Sequence, residues 1–374
     1  MVIPFLTVYL TVELHFTKIE AGIVMSTFGA GSMIGSVLGG WLTDKISSFR
    51  VQFVSLLLTV PIFVLIPHFT TLTGVCSIIF LLSFIAESFR PANSAAVSSY
   101  AKPENLTRAF SLNRMAINLG FSFGPALGGF LAAYSYLWLF YGNAFGALMT
   151  AIVFFLYFRN RKTRNKISKA ESPIQVEGMG KSPYKDKYFL LFSLFCVLFS
   201  VVFSQLISIF PMYYEEVGNL NQMEVGLILG YSGIFIVVFE MLIVHYAEKH
   251  FKIYNTIILG TIFGGLTYFV LIFDQSVFML YVSITLLCIA EILVLPFIST
   301  IAANRAGERY KGAYMGVNAL SFSVALIFTP FLATNIATKY GFSTLWIFNS
   351  IISLVAIIGF RWISKKMPMD FTTV

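Results

Sequence analysis

The sequence predicts an all-α integral membrane protein built from two six-helix halves related by duplication. Three observations carry that reading. Apolar runs of about twenty residues, the length a helix needs to cross a bilayer, recur from end to end. Lysine and arginine collect in alternate connections, and a constant shift of 204 residues lays features of the first half on the second. Composition agrees: 57% of the 374 residues are hydrophobic and 11% charged, with a mean hydropathy of +0.82. Soluble domains carry about a quarter charged residues. Short alternating strands are absent, and helices keep every backbone hydrogen bond internal in lipid.

The predicted spans are 1–12, 20–43, 51–69, 72–100, 107–134, 136–158, 188–216, 221–247, 253–273, 275–304, 311–338 and 342–364. The first is too short to cross a hydrocarbon core of about 30 Å at about 1.5 Å per residue. MVIPFLTVYL at the start lacks the basic flank and cleavage site of a signal peptide. Between the sixth and seventh spans lies the one long polar segment, residues 159–187, which carries nine Lys and Arg and reads as a solvated linker. The chain therefore divides into an N-terminal half, 1–158, the basic linker, 159–187, and a C-terminal half with its short tail, 188–374.

Of the 25 Lys and Arg, 21 fall in the connections after the even-numbered spans and in the tail. Only Lys18 and Lys339 fall on the opposite side, while Arg90 and Arg114 lie within spans. That asymmetry places the linker and C-terminus in the cytoplasm, most naturally of a bacterium with the chain in its cytoplasmic (inner) membrane. The +8 net charge is thus mostly topology, which excludes a nucleic-acid partner. Cys76, Cys196 and Cys288 all sit in apolar runs without disulfide or metal spacing, so no metal is expected. His15, His68, His245 and His250 are scattered near span ends and read as interfacial.

The 204-residue shift brings Glu20 and Gly22 onto Glu224 and Gly226, Asp44-Lys45 onto Glu248-Lys249, and Glu87 onto Glu291. It also brings Glu104 onto Glu308 and Ala109-Phe110 onto Ala313-Tyr314. Paired repeats are a common plan for secondary transporters, with substrate between them. By the same shift the partner of the seventh span begins ahead of Met1, so the first helix is expected to be truncated.

In the fifth span, GFSFGPALGG holds Gly120, Gly124 and Gly128 on one helical face. Such a stripe lets another helix approach at backbone distance, and Pro125 loosens the helix by withholding a donor. Gly31, Gly35 and Gly39 form a similar stripe in the second span. No glycine stripe accompanies Pro330 in the eleventh.

GFSFGPALGG resembles the Gly-x-x-x-Gly-Pro-x-x-Gly-Gly signature in helix 5 of the major facilitator superfamily, above all its drug/proton antiporters; Gly120, Gly124, Pro125, Gly128 and Gly129 carry the match. GGWLTDKISSFR resembles the superfamily's cytoplasmic Gly-x-Leu-Ala-Asp-Arg-x-Gly-Arg motif through Gly40, Leu42, Asp44 and Lys45, with Ser47 and Ser48 where Gly and Arg are usual. FRPANSAA resembles the antiporters' arginine motif through Arg90, with Asn93 and Ser94 replacing Gln-Gly. The resemblance implies twelve transmembrane helices around a central cavity lined by helices 4 and 10, and function as a monomer.

Ionisable groups inside a membrane cost about 2.5–3.5 kcal/mol each on insertion scales and usually face a cavity or a partner. Glu87 and Arg90, three apart, share a face and pair. Arg90 is expected about 15 Å and Arg114 about 10 Å from the cytoplasmic end, at about 1.5 Å per residue, so Glu87, Arg90 and Arg114 are expected to converge on one ion-pair site. Glu87 and its repeat mate Glu291 are the proton-coupling candidates, since a carboxylate in a poorly hydrated cavity can load and release a proton. Glu240 is apolar-flanked with no partner legible in the sequence. Resemblance puts Asp44 beside Lys311-Gly312, where a helix N-terminus would hold it. Asp44, Lys45 and, by the repeat, Glu248 are the expected cytoplasmic gate.

No nucleotide-binding loop and no nucleophile–base pattern appears, so an enzyme and a bound cofactor are not expected, and an ion gradient is the expected energy source. The favoured reading is proton-coupled efflux of small amphipathic compounds by alternating access. The alternatives are an uptake permease for a sugar, peptide or organic anion, and a non-transporting membrane sensor or scaffold.

Overall fold

The computed structural model describes residues 6, 9–160, 181–218, 220–307 and 309–368. Most of the expected linker, most of the first predicted span and Glu308 lie outside those residues. The helices are α1 (Lys18–Lys45), α2 (Ser48–Leu65), α3 (Leu72–Tyr100), α4 (Leu106–Tyr134), α5 (Tyr136–Phe158), α6 (Lys187–Ser208), α7 (Phe210–Glu216), α8 (Gln222–His250), α9 (Ile253–Phe273), α10 (Val277–Arg305), α11 (Lys311–Tyr340) and α12 (Phe342–Lys366). Ten of them are long and apolar enough to cross a membrane. α4 is as long, but carries Arg108, Arg114, Asn113 and Asn118 in its first half. No strand occurs among the described residues.

The duplication is visible in the helix boundaries. α1 to α5 begin at residues 18, 48, 72, 106 and 136, and α8 to α12 begin at 222, 253, 277, 311 and 342. Each pair is separated by 204 to 206 residues. One of the sequence matches has a direct physical cause. Thr17 and Glu20 form a reciprocal capping box at the start of α1, satisfying backbone N–H groups that the helix itself leaves unpaired. Asn221 and Glu224 make the same reciprocal pair at the start of α8.

One predicted span is broken. Residues 188–216 were expected to be continuous, yet α6 ends at Ser208 and α7 resumes at Phe210. Pro211 has no N–H to donate to the carbonyl of Ile207, so the ladder is interrupted there.

The fold divides into two compact units. The first holds α1, α2, α3, α5, α4 from Gly120 onward and α11 as far as Ser323. Its tightest contact is α1 against α3. A Cβ on Gly35 would overlap the Phe84 carbonyl, and one on Gly31 or Gly39 would overlap the backbone of Phe80 or Ser88. Ser88 Oγ donates to the Gly35 carbonyl at 3.1 Å across this contact. The other face of α1 meets the start of α11, where Gly40 packs on Gly312 and Gly316 approaches the Ser36 carbonyl. The glycine stripe of α1 therefore performs the role expected of it, and α11 supplies small residues at its beginning rather than beside Pro330.

The second unit holds α6 to α10, α12, the start of α4 up to Leu119 and α11 from Val324. Its core gathers around the α6–α7 break, where Phe210, Tyr213, Tyr214, Tyr268 and Trp346 are buried with ring centroids 5.0 to 6.2 Å apart. Large apolar side chains such as Phe145, Val153, Ile234 and Ile358 are exposed on the helix exteriors, an outside suited to lipid rather than water.

At Gly120 the structure departs from the stripe expected in α4. No atom lies within 4 Å of the place a Cβ on Gly120 would occupy, so that glycine permits no close helix contact here. Nothing is described of the surroundings of Pro125 and Gly129, while Gly128 is buried and Gly124 half-buried.

Replacing Gly35 with leucine is therefore expected to force α1 away from α3 and abolish the monodisperse folded peak on size-exclusion chromatography. Gly120→Leu is expected to leave that peak unchanged.

Candidate functional site

An arginine among apolar helices gathers two carboxylates in the second unit. Arg114 projects from α4 with only 14% of its side chain exposed. Its Nε donates to Glu240 Oε1 on α8 at 3.0 Å, and its Nη1 donates to Glu291 Oε1 on α10 at 3.0 Å. Glu240 is 0% and Glu291 4% exposed. Ala290, Ile292, Leu293 and Val294 beside Glu291 are all buried.

One guanidinium thus serves two carboxylates, and the set carries a net negative charge if both are ionised. A single proton on either carboxyl makes it neutral. Removing one member of a buried ion pair leaves a charge without compensation, which typically costs about 3–5 kcal/mol. The cluster is also incompletely satisfied. Arg114 Nη2, Glu240 Oε2 and the nearby Ser111 Oγ are buried with no hydrogen-bond partner among the described residues. Cys288, one turn before Glu291, is turned away to the Ser232 carbonyl at 3.7 Å.

Arg114 meets two carboxylates that the sequence did not pair with it. Glu87 and Arg90 do pair on α3, at 3.2 Å, with the Arg90 side chain 44% exposed and its guanidinium over the Phe322 ring at 5.3 Å. Arg114 takes its carboxylates from α8 and α10 within the second unit. Glu240 was the missing partner. The signal for it was present in the sequence, because a buried arginine and an apolar-flanked glutamate both need a counter-charge.

A second site closes the junction of α1 with α11. Asp44 Oδ1 accepts from the Gly312 N–H at 2.6 Å and Oδ2 from the Ala313 N–H at 2.8 Å. The carboxylate caps the first turn of α11, where unpaired amides and the helix dipole both favour an anion. Lys45 takes no part in this cap, and its ammonium lies 4.3 Å from the Trp41 ring centroid. Glu248, the repeat mate of Asp44, accepts from Arg108 Nε at 2.7 Å. Arg108 stands 204 residues before Gly312, so the carboxylate meets the same place in both repeats. Backbone amides hold it in one and a guanidinium in the other. Arg108 Nη2 also lies 2.7 Å from His245 Nδ1, which gives that histidine a polar partner its sequence context did not suggest. Among the described residues no group of three or more His, Cys, Asp or Glu is placed to hold a metal ion.

The profile of the Major Facilitator Superfamily matches residues 1–273 and 219–372. The chain belongs to the major facilitator superfamily. Within it, the chain is 24% identical to an uncharacterized MFS-type transporter, YqjV, of Bacillus subtilis (strain 168) over 389 residues, covering 100% of this chain and 91% of that one. It is 23% identical to the quinolone resistance protein NorA of Staphylococcus aureus over 340 residues, 89% of this chain and 84% of the relative. Among solved structures, the proton:xylose symporter XylE superposes with a TM-score of 0.76 at 14% identity over 98% of this chain and 92% of that chain. The human organic anion transporter MFSD10 gives 0.73 at 15% identity over 95% and 88%. The chain is thus a multi-pass integral membrane transporter of the superfamily's two-halved fold, acting within a lipid bilayer on a small-molecule substrate.

Two outcomes follow from the geometry. Arg114→Leu is expected to lower stability by about 3–5 kcal/mol through its two stranded carboxylates, and adding Glu240→Gln with Glu291→Gln to recover most of it, read by thermal unfolding in detergent. Asp44→Ala is expected to raise hydrogen exchange at the Gly312 and Ala313 amides about tenfold or more, since hydrogen bonds to charged groups contribute about 1.5–3 kcal/mol. Exchange at the start of α8 should stay unchanged.

Proposed function

We propose that this transporter exports small amphipathic compounds in exchange for protons, by alternating access of its two halves, 1–158 and 188–374, as a monomer in a bacterial cytoplasmic membrane. The charge asymmetry of the connections supports a cytoplasmic linker and C-terminus. The likeness to NorA along most of the chain supports export.

The observation that carries the coupling is the Arg114–Glu240–Glu291 cluster. A buried set of one cation and two carboxylates is electrically balanced only with one proton aboard, and Glu240 Oε2, which has no partner among the described residues, is the oxygen placed to take it. Exchange of that proton with one side of the membrane and then the other ties proton movement to the change in access. Glu291 and Glu240 are the coupling pair in this reading. Glu87, compensated within its own helix by Arg90, is a second carboxylate whose proton exchange Arg90 modulates. Asp44 at α11, with Glu248 at Arg108, forms the cytoplasmic gate that must part when the transporter turns inward.

The test is dye accumulation in efflux-deficient cells expressing the chain, with and without a protonophore. Expression should lower accumulation several-fold, and the protonophore should restore it to control. Glu291→Gln and Glu240→Gln, each inserted in the membrane at parental levels, should both abolish the difference. Lowered accumulation that persists under the protonophore would refute proton coupling. No lowering in any condition would favour an uptake permease or a non-transporting sensor.

A further inference from the structure

The outer surface of the second unit carries a feature that transport does not use. Asn255, Ile258, Leu259 and Ile262 recur at helical spacing along one face of α9, and Ile357 and Arg361 along one face of α12. With Phe251 they line an open groove of about 420 Å³. The two helices run antiparallel, since Ser350 donates to the Gly265 carbonyl while the start of α9 meets Arg361 in the groove. Asn255 and Arg361 therefore share one end of it, and Ile262 and Ile357 lie deeper.

The groove grades from polar to apolar in the direction a phospholipid does. Ile262 is seven residues beyond Asn255, or about 10 Å further along α9. Arg361 is five residues from the end of α12, about 7 Å in, with Trp362 exposed beside it as aromatic residues are at membrane interfaces. Lys252, Lys365 and Lys366 are exposed at the same end. Arg361 makes no ion pair with any described carboxylate and is itself exposed. An unpaired guanidinium at the mouth of an apolar groove suits a phosphate, which it can bind with two parallel hydrogen bonds, and basic pockets between membrane helices attract anionic headgroups.

We propose that this groove binds one anionic phospholipid, its phosphate on Arg361 and Asn255 and an acyl chain along Ile258, Leu259, Ile262 and Ile357. The charge of the mouth selects an anionic lipid over a zwitterionic one, and the apolar floor selects a lipid over free phosphate. The site is independent of the coupling cluster and survives if the transport reading fails.

The experiment is native mass spectrometry of the purified full chain titrated with phosphatidylglycerol, phosphatidylcholine or inorganic phosphate. The parent should retain one phosphatidylglycerol about tenfold more tightly than phosphatidylcholine, a tenfold change being the scale of one good polar contact. Arg361→Gln should bring phosphatidylglycerol down to the phosphatidylcholine level. Leu259→Trp, which fills the groove and keeps the charge, should displace both lipids. Lys365→Gln with Lys366→Gln should leave the bound phosphatidylglycerol in place. Equal retention by Arg361→Gln, equal loss in the double lysine variant, undiminished retention by Leu259→Trp, or displacement by millimolar inorganic phosphate would each overturn the proposal.

Discussion

In hydrocarbon a charge has no water to turn to, and that constraint organises the interior of this protein. Arg114 can lie inside a membrane only because two other helices bring carboxylates to it. α4, α8 and α10 are held to a common register by three side chains, and a shift of either carboxylate-bearing helix would strand a charge. With both carboxylates ionised, the cluster is one proton short of neutrality. In the proposed mechanism a structural necessity thus doubles as the coupling device, since the side chains that join three helices change their net charge with a single proton.

Backbone groups obey the same rule more quietly. The helix beginnings at Thr17 and Asn221 are closed by reciprocal side-chain caps, and the first turn of α11 is closed by Asp44. A cap from within the same segment is permanent. A cap from another helix, as at Asp44, can be withdrawn, and the amides then need water. In the proposed gating that difference lets the α1–α11 junction part, whereas the α1–α3 contact, where glycines bring backbones together and Ser88 bonds across, stays packed.

Duplication gave both repeats the same helix spacing but not the same chemistry at equivalent places. Asp44 grips amides where Glu248 grips Arg108. Glu87 pairs within its own helix where Glu291 reaches Arg114 on another. Position is inherited through the backbone, because helix length and connection length fix it. Pairing depends on single side chains, and these differ between the repeats.

The helices, the repeat and the family resemblance were legible in the sequence because each is a local or periodic property: apolar runs, a constant offset, capping residues at fixed spacing, small residues every fourth position. The pairing of Glu87 with Arg90 was legible for the same reason, being three residues apart on one helix. Proline at position 211 was visible, but its consequence was not, since proline is tolerated in one membrane helix and divides another according to how neighbours satisfy the freed carbonyl. What only the tertiary structure decided was which distant groups meet. Glu240 lies 126 residues from Arg114 and Glu291 lies 177, and no periodicity encodes such a partnership. The sequence determined that these charges needed compensation, and helix packing decided which charge compensates which.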